Sequence, residues 1–188
     1  MSNVPYSNVI ENLMYATMFI RPNICYVVGM VSYYQANLGM MHWKAIKRIL
    51  RYLKGTKDYS LCYQGKELCL VGYSNVDWAG DLDECKSTSR YTFLLNNGAI
   101  SWRSKKQTCI ALSTMETRFI ACSAAVQKAI WLRRFLQSLG IMKDVFGPTI
   151  VYSDSQVAIA YIKDLKYHGR TKHIDTKNNF IRDVIALK

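Results

Sequence analysis

The sequence predicts an α/β fold, a mixed sheet with flanking helices preceded by a small helical segment. Three observations predict it. Up to about Asp58 the apolar residues recur at helical spacing. Beyond Gly55 they come in short runs separated by Gly and Asn turns, as strands do. One long helical stretch then precedes a further short apolar run, the order expected of a sheet that packs on a helix.

Taken in order, one helix ends near Ile20, because Pro22 suits a first helical position, and a second runs from about Ile24 to Asn37. A third runs from about Met41 to Lys54. On it Trp43, Ile46, Leu50 and Leu53 share a face, while Lys44, Lys47, Arg48, Arg51 and Lys54 cover the rest. "YSLCYQG" and "LCLVGYSN" flank a turn at Gly65 to Glu67 and read as a hairpin. "YTFLLNN" and "GAISWRS" read as a second one around Asn96, Asn97 and Gly98. A helix from about Ser113 to Leu139 closes at Gly140, in the position that favours a left-handed cap. A short buried strand, "TIVYSD", comes next. It is followed by a helix from about Ser155 to Lys163, a basic loop through Lys172 and a last helix from about Ile174.

The chain has 188 residues, half of them hydrophobic, so it has material for a core. Its 25 Lys and Arg against 13 Asp and Glu give a net charge of +12. Charge alone supports two readings equally, a polyanionic partner such as nucleic acid and a solvated basic surface. The six cysteines form no CxxC pair and lack the spacing of a disulfide scaffold, so they are expected reduced and mostly buried. His168 and His173 have a spacing that some zinc sites use, but nothing pairs with them to make one. Met14 to Val31 is apolar but broken by Arg21, Pro22 and Asn23, and no leader is recognisable. The expectation is an intracellular protein, in cytoplasm or nucleus, with no membrane partner.

Two strands end in polar groups, one at Asn75 and Asp77 and one at Asp154. Side chains two apart on a strand share a face, so such residues could converge on a magnesium ion. Asp154 followed by Ser155 and Gln156 could equally begin a helix.

Four longer blocks carry more information: "GYSNVDWAGDLDECKSTSRYTFLL", "ISWRSKKQTCIALSTMETRFIACSAAVQKAIWLRRFL", "VYSDSQVAIAYI" and "HGRTKHIDTKNNFIRD". In order and spacing they resemble the ribonuclease H domain of a copia-type retrotransposon Pol polyprotein. The earlier "PYSNVIENLMYA", "RPNICYVVGMVSYY" and "HWKAIKRILRYLKGT" resemble the end of the same polyprotein's reverse transcriptase. The resemblance implies a helical segment over 1–58 and a ribonuclease H-like mixed sheet over 59–188, lacking the family's last strand and helix. It implies no polymerase, since the paired catalytic aspartates lie upstream in the family.

By the same resemblance, magnesium ions held by four carboxylates cleave the RNA strand of an RNA/DNA hybrid. The first carboxylate falls on Asn75, in the family's Tyr-Ser-Asp. The second falls on Arg118, in a Ser-Thr-Glu-Ala-Glu-Tyr run whose first Glu survives as Glu116. The third is Asp154, intact, and the fourth belongs to an Ala-Asp-x-Leu-Thr-Lys motif that the sequence does not contain. Asp77 and Glu116 are the possible substitutes, although Glu116 lies about 200° round a helix from Arg118. Arg90 stands where the family has Gly, a position at which a backbone conformation peculiar to Gly is expected. The expectation is a copy without catalysis that still holds nucleic acid through Lys47, Arg48, Arg51, Lys105, Lys106, Arg170 and Lys172. The alternatives are an active nuclease using Asp77, Glu116 and Asp154, and a domesticated nucleic-acid-binding or scaffold protein.

Overall fold

The computed structural model describes residues 5–64, 68–78, 80–81, 84–111, 113–141 and 149–154. The helices expected after Ser155, and with them Arg170 and Lys172, lie outside the described residues. Contacts divide the chain into two units, one of Met1–Cys62 with Trp102–Lys105, the other of Tyr63–Ser101 with Lys106–Lys188.

The first unit is helical. α1 spans Tyr6–Phe19 and buries Tyr6, Ile10, Leu13 and Thr17, one stripe at helical spacing. A single 3-10 turn at Pro22–Ile24 follows, with the proline where a helix tolerates a missing N–H. α2 covers Cys25–Ser32 and stops five residues short of the expected Asn37. Its end tightens: Tyr33 N–H reaches back to Met30 and Tyr34 N–H to Val31, while the Ser32 hydroxyl donates to the Gly29 carbonyl. α3 spans Met40–Gly55, and the Gly39 N–H donates to Nδ1 of His42, 3.0 Å away. Its buried residues are Ile46 and Ile49. Leu50, expected inside, is exposed, and Ile49 is buried with Ile46 in the helical cluster in its place. The Tyr6 hydroxyl donates to the Val31 carbonyl at 2.8 Å and the Arg21 guanidinium to that of Thr56 at 2.9 Å, so the buried polar groups are matched.

Among the described residues four strands form one sheet of order β3-β2-β1-β4, all of it in the second unit except Trp102–Lys105 of β3. β1 is Leu70–Asp77, β2 Thr88–Leu95, β3 Gly98–Lys106 and β4 Ile150–Ser153, with α4 at Thr114–Ser138. β1 runs antiparallel to β2, and parallel to β4, a pairing that needs a long crossover, here containing α4. The β2–β3 turn is the one the sequence indicated. Asn96 and Asn97 take φ of 50° and 61°, the left-handed pair that matches a hairpin's twist. Gly140 ends α4 at φ 69°, and the Ile141 N–H bonds the Leu136 carbonyl at 3.1 Å across the cap.

The first expected hairpin does not form. Tyr59–Gln64 carries no strand, and β1 pairs with β2 instead. The Gln64 N–H bonds the Asn96 carbonyl and the Tyr63 hydroxyl that of Ala99, so this segment meets the β2–β3 end through single hydrogen bonds. β4 is only half-buried, since its one neighbour among the described strands is β1. The cysteines also depart from expectation: Cys62, Cys69 and Cys85 are exposed, Cys25 and Cys109 are half-buried, and Cys122 is buried. Only Cys122 lies in an apolar cluster, beside Phe119 on α4; the exposed three sit in or next to connecting segments. Among the described residues no helix is long and apolar enough to cross a membrane.

Candidate functional site

Alternation along β1 sorts its side chains. Leu70, Gly72 and Ser74 are buried, with Leu70 packed against Ala129, Leu132 and Leu136 of α4, whereas Tyr73 and Asn75 are exposed. Asn75 and Asp77 therefore project together, as their spacing requires, on the sheet face away from α4. Asp154 is the first residue after β4, exposed, and it follows Ser153, the partner of Ser74. Parallel pairing thus carries Asn75, Asp77 and Asp154 to the same end of the sheet.

Glu116 and Arg118 reach that end by another route. Ser113 caps α4, its hydroxyl accepting the Glu116 N–H at 3.2 Å. The Gln107 side-chain amide donates to the Ser89 hydroxyl at 2.8 Å and to the Thr117 carbonyl at 3.0 Å, and Ser89 is the partner of Val76. The first turns of α4 are thereby fixed at the carboxyl end of β1. The structure gathers the five residues at one end of the sheet.

Directly across from Asn75 on β2 stands Arg90, and its guanidinium lies 3.5 Å from the Asp77 carboxylate. The Asn75 side-chain oxygen accepts the Val76 N–H at 2.6 Å. Gly80 makes room for Asp77, because a Cβ there would lie 2.6 Å from the carboxylate oxygen. Arg90 corrects the sequence reading: it occupies a regular strand, outside the positive-φ residues, and so disturbs charge rather than backbone. Its position opposite Asn75 depends on register, which a single sequence does not display.

A second charged group lies in the connection between β1 and β2. Lys106 pairs with Asp81 and, at 3.5 Å, with Glu84, which also holds Lys86 at 2.7 Å. Hydrogen bonding to Asp81 raises the Lys106 ammonium above its ordinary value, and Lys86 followed by Lys106 lowers the Glu84 carboxyl. Lys106, expected to meet nucleic acid, is thus engaged with two carboxylates. Lys47, Arg48 and Arg51 are exposed along α3, beside Lys44 and Lys54, and Lys105 is exposed on β3. Among the described residues no three His, Cys, Asp or Glu side chains come close enough to share a metal ion.

Fold and site define a mixed α/β domain whose four-stranded mixed sheet and helices are consistent with the ribonuclease H-like fold. No family model matches the chain. The retrovirus-related Pol polyprotein from transposon TNT 1-94 of Nicotiana tabacum is 47% identical over 185 residues, which are 98% of this chain and 14% of the polyprotein. That from transposon RE2 of Arabidopsis thaliana is 35% identical over 96% of the chain and 12% of its own length. The secreted RxLR effector protein 161 of Plasmopara viticola is 45% identical over 133 residues, covering 70% of the chain and 94% of the effector. The chain belongs to the family of copia-type, retrovirus-related Pol polyproteins from transposons, and it spans about one-seventh of the length of the TNT 1-94 polyprotein.

Proposed function

We propose that the chain is a Pol-derived ribonuclease H-like domain that has lost metal-dependent cleavage and retains nucleic-acid binding. The observation that carries the reading is the pair opposite each other on β1 and β2: an amide, Asn75, faces an arginine whose guanidinium is drawn to Asp77. Magnesium prefers several anionic oxygens on one side of a site. Here the first position is neutral, the substitute carboxylate already has a cation beside it, and an arginine, Arg118, stands at the family's second carboxylate position. The residues present do not suit the family's metal pair, and no cleavage step is assigned to them. Binding rests on charge that needs no carboxylate: Lys47, Arg48 and Arg51 are exposed on α3, and Lys105 on β3. Cations in such positions contact phosphates of either strand of an RNA/DNA hybrid without reading sequence.

The test is a time course of RNA/DNA hybrid cleavage with magnesium for the parent chain, Asn75→Asp and Asn75→Asp with Arg118→Glu. Parent and single variant are expected to be inactive, since carboxylate ligands act as a unit. Magnesium-dependent cleavage by the parent that Asp154→Ala abolishes would establish instead the active nuclease built on Asp77, Glu116 and Asp154. Hybrid binding should weaken steeply with salt, and less steeply once Lys47, Arg48 and Arg51 are neutral. A second reading, a domain working outside any polyprotein, is favoured by the Plasmopara viticola effector, nearly all of which this segment matches.

A further inference from the structure

α4 has a second face that the core does not use. Its packing stripe runs through Phe119, Cys122, Ala125, Ala129, Leu132 and Leu136. Displaced from that stripe, Trp131 and Phe135 are 52% and 44% exposed, large areas for aromatic rings on a helix that packs on a sheet. The two rings lie stacked, with centroids 5.1 Å apart and planes inclined by 8°, and the Lys128 ammonium sits over the indole at 3.8 Å. Arg134 is exposed beside them. From Thr117 to the end of the helix there is no carboxylate at all.

We propose that Trp131 and Phe135, flanked by Lys128 and Arg134, form a binding site for single-stranded nucleic acid, a base stacking at the end of the ring pair as the Lys128 ammonium swings from the indole to a phosphate. Planar π surface gives affinity for any base, and adjacent cations track the backbone, the combination by which single strands are held without sequence preference. Charge selects this occupant over the others. A second copy meeting the first through this stripe would bring Lys128 and Arg134 against their own images, in a chain whose net charge is already +12. A lipid surface takes up a broad apolar helix face, whereas α4 exposes two rings set among Gln127 and the cations Lys128 and Arg134. The site goes beyond the reading above, because it requires neither the positions of Asn75 and Arg118 nor the α3 cations.

The experiment measures fluorescence anisotropy of the full chain with a labelled oligothymidine of about a dozen nucleotides and with an abasic strand of equal length. The base-bearing strand should bind about tenfold more tightly than the abasic one. Trp131→Leu with Phe135→Leu keeps apolar volume and helix propensity but removes the π faces. It should erase that difference while leaving abasic binding in place, and Lys47→Ala with Arg48→Ala and Arg51→Ala should weaken both strands alike. Equal binding of the two strands by the parent chain, or a difference that survives in the Leu variant, would overturn the site without touching the phosphate-binding reading. So would a concentration-dependent dimer, or adsorption to phosphatidylserine vesicles, that the Leu variant abolishes in the absence of any base preference. A flat response to the α3 substitutions with the base preference intact would overturn the α3 reading and leave this site standing.

Discussion

Gly72→Ala tests whether the sheet is assembled as described. Gly72 is the register partner of Phe93, and a Cβ on it would lie 2.5 Å from Cε1 of the ring and 3.1 Å from both Cδ1 and Cζ. Phe93 is fully buried, in a cluster with Leu70, Ala129, Leu132 and Leu136, so the ring cannot yield without displacing α4. Overpacking of this kind costs about 1–3 kcal/mol. Against it, removing a glycine from an extended strand lowers the entropy of the unfolded chain and returns about 0.4–1 kcal/mol. The net expectation is a loss of about 1–2 kcal/mol, read as a lower urea midpoint by circular dichroism. Phe93→Leu removes the ring edge that the new methyl meets. The double variant should therefore be more stable than the sum of the singles predicts, by about 1 kcal/mol. A Gly72→Ala chain as stable as its parent, or strictly additive substitutions, would show that Gly72 does not face Phe93 and that the β1–β2 register is wrong.

The cap of α4, the cysteines and the charges around Glu84 supply the other tests. Ser113→Ala should cost about 1 kcal/mol of stability in urea unfolding, and Ser113→Asp should not, because the cap needs only an acceptor for the Glu116 N–H. Timed alkylation with mass spectrometry should label Cys62, Cys69 and Cys85 first and Cys122 last, since burial both covers the Cys122 thiol and raises its pKa. The Glu84 carboxyl is held below its ordinary value of 4.5, so its contribution is present above that pH and is lost as pH falls through the lowered value. Glu84→Gln should accordingly flatten the acid side of a plot of urea midpoint against pH. Lys106 contributes at the other end, stabilising below 10.5 and losing its effect as pH rises through its raised value.

What the sequence disclosed was whatever depends on local period. The stripe of α1, the two asparagines of the β2–β3 turn, the length of α4 and its glycine cap are all written within a few residues of where they act. Tyr59–Gln64 misled because its alternation is that of a strand, while the choice of partner for β1 is settled by packing: Gly72 accepts the ring of Phe93, from a strand much later in the chain. Arg90 was visible as a departure, but its consequence was not, since which residue lies opposite Asn75 is a property of register. The exposed cysteines were misjudged for a similar reason. A thiol behaves as a small apolar group by type, yet Cys62, Cys69 and Cys85 stand outside the apolar clusters.

The period of two in β1 also separates what holds the fold from what would carry chemistry. Leu70, Gly72 and Ser74 face α4 and are buried, while Asn75 and Asp77 lie on the other face with Asn75 open to solvent. Exchanging a carboxylate for an amide at an exposed strand position changes stability by only about half a kcal/mol or less, so the packing of β1 places no demand on residue 75. Charge on that face is then free to change sign. A site built for magnesium must concentrate negative oxygens, and an arginine opposite residue 75 opposes that. The same arginine raises the local attraction for a phosphate, so each step away from a metal site on this face is a step towards a surface that attracts nucleic acid. Under the function proposed here, loss of cleavage and retention of binding are one electrostatic change rather than two events. Reversing it requires substitutions at Asn75, Arg90 and Arg118 that leave Leu70, Gly72 and Phe93 untouched.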